Sequence, residues 1–350
     1  MQLGNDRHCA VIALSLVRNL HRCYTSLPMK LRKVINQDFR RFGEIYRHLD
    51  REGGLLLTGE VASLFLSSPA AGVVRLRTSR GGDFAEDRSF AVVAPPEPVP
   101  APVVDANAER LVISLAGLRL TAGRKPFTLS VRDAHDRLLL RDYPRVGMGY
   151  AGEGLVFSTA IEPGARYYGF GEKTGPLDKH GQALTMWNTD RPYTPTSDPL
   201  YLSIPWTLVV REGRAFGLFF DEPGRSHFDI GRTWPGVFAY LLEAGELDLY
   251  IIDGPTPAEV LDRYTALTGR MPLPPRWALG HHQCRWSYMD EAEVRDIARN
   301  FRERRIPTDA VWLDIHYMDR YRLFTFNRDR FPDPKRLTAD LAAKGFKVVT

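Results

Sequence analysis

Hydrophobic and polar positions between residues 55 and 252 follow one rhythm. Short apolar, β-branched and aromatic runs such as GVVRLRTSR, LVISLAGLRL, FTLSVRD, GLVFSTAI, YLSIPWTLVV, AFGLFF and LDLYIID are separated by Gly, Pro, Asp and Asn. Runs of that length and composition, punctuated that way, predict an all-β sandwich. Residues 94–104 (APPEPVPAPVV) carry five prolines. Proline cannot donate to a strand ladder, so this stretch is expected to be an extended connection between strands.

After Arg270 the rhythm changes. MPLPPRWALGHHQCRW predicts a proline-punctuated entry to an apolar strand, and Asp290 with Glu293 forms a capping-box-like helix start. Val294, Ile297, Ala298 and Phe301 recur at helical spacing, and Pro307 closes that segment. AVWLDI at residues 310–315 reads as a strand. Asp333 and Pro334 then supply an N-cap and a first-turn proline, Leu337 and Leu341 share a face, Gly345 suits a left-handed cap, and FKVVT reads as a last strand. Strand, helix, strand, helix, strand predicts a parallel βαβαβ unit. A dinucleotide-binding sheet needs a Gly-x-Gly-x-x-Gly turn after its first strand, where this chain has His-Gln-Cys-Arg-Trp-Ser, so a (β/α)8 barrel is preferred. GFGEKTG at residues 169–175 has neither that spacing nor a following amphipathic helix and reads as turn glycines. The expected organisation is a basic leader at 1–54, a β-sandwich domain at 55–271 and the start of a barrel at 272–350. A barrel has eight strands and three are legible before Thr350, so the sequence is expected to continue beyond it.

The net charge of +5 changes this picture little. Residues 1–50 hold nine Lys/Arg and four Asp/Glu, and the other 300 residues balance at 38 against 38. Nucleic-acid binding needs cationic side chains clustered on the folded domain, and the excess here sits in the leading segment. Cys9, Cys23 and Cys284 are too few and too scattered for a disulfide framework, which points to a reducing, cytoplasmic setting. The apolar run at residues 9–17 is too short to span a bilayer, and Met29 is an alternative start. No membrane association is expected, and oligomeric state is left open.

Barrel enzymes carry ligand-contacting groups at the carboxyl ends of their strands, which singles out Arg285, Trp286, Asp314, His316 and Asp319. Asp314 ends an apolar run, where a carboxylate can accept hydrogen bonds from sugar hydroxyls. Its structural alternative is a loop cap or an ion pair with Arg285. Trp187, Trp286 and Trp312 stand at strand ends, where an indole can pack on the apolar face of a pyranose, although core packing is the ordinary role of such residues. His281, His282 and Cys284 do not make a metal site, because strand alternation sends the two histidines to opposite faces. No cofactor is expected.

The ordered motifs YYGFGEKTGPLDKHG, MWNTD, PPRWALGHHQCRWSY and WLDIHYMDRYRLFTFNRDRFPDP resemble glycoside hydrolase family 31, the α-glucosidase family, over about residues 73–350. The resemblance implies a galactose mutarotase-like β-sandwich ahead of a (β/α)8 barrel, and retaining hydrolysis of terminal α-linked glucose or a related sugar by double displacement. It also implies substrate-binding roles: Asp190 in WNTD as the sandwich-loop aspartate at the sugar site, Trp286 as the aromatic after the first barrel strand, and Asp314 as the hydroxyl-binding aspartate. His316 departs from the family's common second acidic residue in that motif, while Asp319 keeps its place. The nucleophile's usual context, Asp-Met-Asn-Glu, does not occur in residues 1–350, so no catalytic carboxylate is nominated and the chain alone is expected to be inactive. The alternative is a non-catalytic carbohydrate-binding protein. A different barrel enzyme, such as a sugar isomerase, would need a metal or base constellation.

Overall fold

The computed structural model describes residues 39–190 and 194–350. Most of the basic leader, with Cys9, Cys23, residues 9–17 and Met29, lies outside the described residues. Arg270 closes one compact unit and Met271 opens a second.

The first unit is built from three antiparallel sheets. In the eight-stranded sheet, Arg166–Gly171, Ser203–Arg211, Arg214–Phe220 and Asp248–Gly254 lie side by side, followed by Val73–Ser79, Ser63–Ala70, Gly54–Gly59 and the edge strand Ile45–Arg51. The six-stranded sheet ends in Ser226–Ile230 and the edge strand Ala183–Met186, and the five-stranded sheet runs from Leu138–Arg141 to Val103–Ala106. Alternation decides which side of each strand is inside. In Val73–Ser79, Val74 and Leu76 are fully buried, while Arg75 and Arg77 lie on the other face, where Arg75 pairs with Asp248 at 2.6 Å and with Asp87 at 2.7 Å. One apolar core takes residues from every sheet: Leu64 and Leu76, Ile113 and Leu120, Phe157 and Tyr240. Each such buried side chain stabilises the fold by roughly 2 kcal/mol over leaving it in water, so this shared core outweighs the few hydrogen bonds that cross between sheets.

Four details correct the sequence reading. The leader assigned to residues 1–54 contains the strands Arg40–Arg41 and Ile45–Arg51. The second of these, IYRHLDR, is an edge strand with only Ile45 buried, and its polar composition hid it. The expected all-β unit ends in a helix, Pro257–Thr268, started by a capping box between Thr256 and Glu259 with Pro257 in the first turn. Arg276–Leu279, read as entry to a strand, is a 3-10 turn, and the strand is only His282–Gln283. The proline-rich run is a non-strand connection up to residue 102, and its last two residues open the edge strand Val103–Ala106.

The second unit contains three parallel strands in sequence order, His282–Gln283, Ala310–Trp312 and Lys347–Val349. The helices Glu291–Glu303 and Pro334–Ala343 form the crossovers, giving the opening of a (β/α)8 barrel after a sandwich-like β unit. Asp290 caps the first helix by accepting from the Glu293 N–H at 2.9 Å, and the Glu293 side chain accepts from the Met289 N–H at 2.8 Å. Asp333 caps the second by accepting from the Arg336 N–H at 2.9 Å. Its far end is a Schellman turn: Gly345 has φ +79°, its N–H donates to Ala342, and the Phe346 N–H donates to Leu341. Val294, Ala298, Leu337 and Leu341 bury against Val311, Leu313 and Phe346. The pleat therefore puts His282, Ala310 and Trp312 on the opposite face of this sheet. Among the described residues, no helix is long and apolar enough to cross a membrane.

Candidate functional site

The carboxyl ends of the first two barrel strands carry Trp286 and Asp314. The ladder between the second and third strands continues one residue past Trp312, where the Leu313 N–H donates to the Val349 carbonyl at 2.9 Å. Asp314 then turns into the left-handed region at φ +60°, which ends the strand abruptly. Aspartate tolerates that region better than most residues. Asp314 is half-buried, and its carboxylate has no hydrogen-bond or ion-pair partner among the described residues. The ion pair with Arg285 does not form: Arg285 donates instead to Glu293 at 3.0 Å. A carboxylate at a strand end with all its acceptor sites open can receive two or more hydroxyl donors.

Trp286 is 86% exposed, so packing does not account for it. Its neighbour Ser287 is buried, with φ +68°, and the Ser287 hydroxyl accepts from the His316 N–H at 3.0 Å. That bond ties the loop bearing Trp286 to the loop bearing Asp314. Ser287 lies inside the PPRWALGHHQCRWSY motif, but its hydroxyl was not singled out from the sequence. Ser287→Ala leaves a partly buried N–H without its acceptor, a cost of about 1–3 kcal/mol. The expected result is at least tenfold faster exchange of the His316 amide proton, followed by NMR.

The histidines part as alternation requires. The His281 ring lies 5.7 Å from Phe301 of the first helix, while His282 faces Trp312 and Trp277. The Trp312 indole N–H donates to His282 Nδ1 at 3.2 Å, and His282 Nε2 lies 3.1 Å from the Trp277 carbonyl. An indole nitrogen only donates and a carbonyl only accepts, so His282 is the neutral Nε2–H tautomer with both nitrogens engaged. Trp312 thus serves this network at the sheet face. His316 stacks edge-on to Tyr321 at 5.9 Å, with its Nδ1 buried and unpartnered. Asp319 pairs with Arg322 and Arg320, and the Arg322 guanidinium holds its carboxyl below the usual carboxylate range. Asp319 is thereby a loop-holding group, in contrast to the open Asp314.

In the first unit, the WNTD segment leaves the strand Ala183–Met186. Its backbone is pinned by the Trp187 N–H to Ser203 Oγ at 3.0 Å, the Thr189 N–H to the Leu200 carbonyl at 2.8 Å, and the Ser203 N–H to Asn188 Oδ1 at 2.8 Å. Trp187 is half-exposed, with the Arg225 guanidinium 5.7 Å from its ring centroid. Asp190 is exposed and has no partner among the described residues. The strand feeding this loop is locked from below by Lys173, whose ammonium is buried. Lys173 Nζ donates to the Thr185 carbonyl at 2.5 Å and to Asp198 Oδ1 at 3.0 Å, while Asp198 Oδ2 accepts from the Thr185 N–H at 2.6 Å. Burial pushes the Lys173 pKa down, and the Asp198 charge opposes that shift. The surrounding glycines are turn and bulge residues, as expected: a Cβ on Gly171, at φ +81°, would stand 2.5 Å from the Leu202 carbonyl oxygen.

An antiparallel sandwich-like unit followed by parallel β/α units defines a carbohydrate-active enzyme architecture once the matching families are set beside it. Residues 63–229 match the glycosyl hydrolase 31 N-terminal galactose mutarotase-like domain, and residues 271–350 match the glycosyl hydrolases family 31 TIM-barrel domain. The chain belongs to glycoside hydrolase family 31. It is 45% identical over 280 residues to alpha-glucosidase 2 of Bacillus thermoamyloliquefaciens, covering 79% of this chain and 35% of that protein. It is 34% identical over 200 residues to the alpha-glucosidase of Saccharolobus solfataricus, covering 57% and 29%. A solved structure of the Flavobacterium johnsoniae family 31 dextranase with isomaltotriose superimposes with TM-score 0.82 at 29% identity, covering 88% of this chain and 38% of that one. The chain spans about a third of the length of these relatives.

Proposed function

We propose that this chain carries sugar-binding groups of a retaining α-glucosidase that hydrolyses terminal α-linked glucose by double displacement. The observation that carries the reading is Asp314: a carboxylate at the carboxyl end of a barrel strand, set in a left-handed turn and without a partner among the described residues. In this reading Asp314 accepts hydrogen bonds from sugar hydroxyls, and the exposed indole of Trp286, held nearby in sequence by the Ser287 tie, packs on a pyranose face. Asp190 is assigned a carbohydrate-binding role on the WNTD motif and its open carboxylate. The names of the relatives, two α-glucosidases and a dextranase bound to isomaltotriose, support glucose-containing substrates. The nucleophile and the acid/base are assigned to barrel strands other than these three, since residues 1–350 lack the Asp-Met-Asn-Glu context. The small number and wide spacing of Cys9, Cys23 and Cys284 are the ground for proposing a reducing, cytoplasmic setting.

Binding is the direct test. Titrating the purified chain with isomaltose should shift Trp286 emission, and Asp314→Asn should weaken that binding at least tenfold, because hydrogen bonds to a charged acceptor contribute about 1.5–3 kcal/mol. Unchanged affinity in the variant would remove Asp314 from the site. Turnover of an aryl α-glucoside by the 350-residue chain would contradict the placement of the catalytic pair.

A further inference from the structure

We propose that the first unit carries a second, anion-binding site for a phosphoryl group, in the pocket between the turn at residues 133–137 and the hairpin turn at residues 211–214. This pocket encloses about 240 Å³ and is lined by four arginines, Arg132, Arg137, Arg211 and Arg214. Their carboxylate partners leave donors over. Asp133 Oδ2 is shared between Arg137 Nε at 2.8 Å and Arg214 Nη2 at 3.3 Å. Arg132 lies 3.7 Å from Asp136, whose carboxylate is taken more closely by Arg119. Arg211 meets no carboxylate and donates one N–H to the Leu138 carbonyl at 2.6 Å. Arg137 Nη2 is buried and has no hydrogen-bond partner among the described residues. Glu212 also borders the pocket and is exposed.

Four guanidiniums line this one concavity, with Asp133, Asp136, Glu212 and Asp253 among and beside them, and Arg211 has no carboxylate partner among the described residues. Guanidinium forks match the paired oxygens of a tetrahedral oxyanion, and a dianion can use several forks at once. The volume is below the roughly 300–1,000 Å³ of sites for larger ligands, so a compact phosphoryl group fits better than an extended oligosaccharide. The site involves none of Asp190, Trp286 and Asp314 and stands whether or not the glucosidase reading holds.

Calorimetric titration of the purified chain with inorganic phosphate, at constant ionic strength against chloride, should give saturable binding to one site. Arg211→Gln, which removes a guanidinium whose internal bond is a single carbonyl contact, should weaken that binding by about tenfold. Mass-mapped modification of Arg137 and Arg211 by phenylglyoxal should be slowed by phosphate, a readout that needs no variant. Glucose 6-phosphate in place of phosphate identifies the source: tighter binding assigns a sugar phosphate, equal binding assigns free phosphate. Binding no better than chloride, wild-type affinity in Arg211→Gln, or no protection of the two arginines would each overturn the proposal.

Discussion

Lys173→Ala is expected to destabilise the first unit by about 3–5 kcal/mol, the range for removing one partner of a buried ion pair. The loss has two parts. Asp198, itself part-buried, loses the ammonium 3.0 Å away, and the Thr185 carbonyl loses its donor. Because Asp198 also holds the Thr185 N–H, the damage concentrates on the strand Ala183–Met186 and on the Trp187–Asp190 segment that follows it. Urea unfolding of the purified variants measures the first effect. Lys173→Met combined with Asp198→Asn should recover much of the loss, since the Asp198 charge is then gone as well. A loss below about 1 kcal/mol in Lys173→Ala would place the pair outside the core electrostatics.

The second large effect follows pH. Asp142 is buried, its Oδ2 accepts from the Leu129 N–H at 2.9 Å, and its Oδ1 has no partner among the described residues. Burial pushes the carboxyl up to about 7, with the Leu129 N–H and the Arg41 charge opposing. Below about pH 4 the folded and unfolded chains both hold the proton, and the residue costs nothing. Between about pH 4 and 7 the unfolded chain ionises while the folded chain does not, so this residue's contribution to stability falls as pH rises. Above about 7 the fall is complete, at about 4 kcal/mol. Other carboxylates work in the opposite direction, because Asp87 and Asp178 are held below their usual range by neighbouring donors. The Asp142 effect is therefore read as a difference: the stability of Asp142→Asn minus that of the wild type should rise from pH 4.5 to pH 8 by several kcal/mol and then level off. A difference flat across that range would place the ionised carboxylate comfortably in the folded protein.

What the sequence made legible were features whose signal is local. The Asp290 and Asp333 caps, the Gly345 turn and the alternation through Val73–Ser79 each rest on residues within a few positions of one another, and each formed as expected. Thr256-Pro257-Ala258-Glu259 was an equally local helix signal, passed over because a long β pattern ran up to it. The strand Ile45–Arg51 was hidden for a different reason: an edge strand with one buried side chain has no need of apolar alternation. The site divides the same way. Motifs placed Trp286 and Asp314 at strand ends, but the left-handed turn of Asp314 and the Ser287 hydroxyl on the His316 amide depend on how two distant loops close on each other. Lys173 was missed because lysine is seldom buried, and its partner Asp198 lies 25 residues away.

The stretch from Arg40 to Arg51 also has a practical meaning for anyone handling the protein. Arg40 and Arg41 pair with Tyr150 and Gly149 in the six-stranded sheet, the Gly43 carbonyl accepts from Phe127 of the five-stranded sheet, and Ile45–Arg51 pairs with Gly54–Gly59 in the eight-stranded one. A dozen residues therefore stitch three sheets with a single thread. Four arginines lie on that thread, yet the peptide bonds after Arg40, Arg41 and Arg47 are held in or beside strand ladders, which makes them poor substrates for trypsin in the native protein. A tag or cleavage site placed ahead of residue 39 leaves the seam whole, whereas recloning from residue 55, where the polar composition invites a cut, would draw the thread out of all three sheets at once.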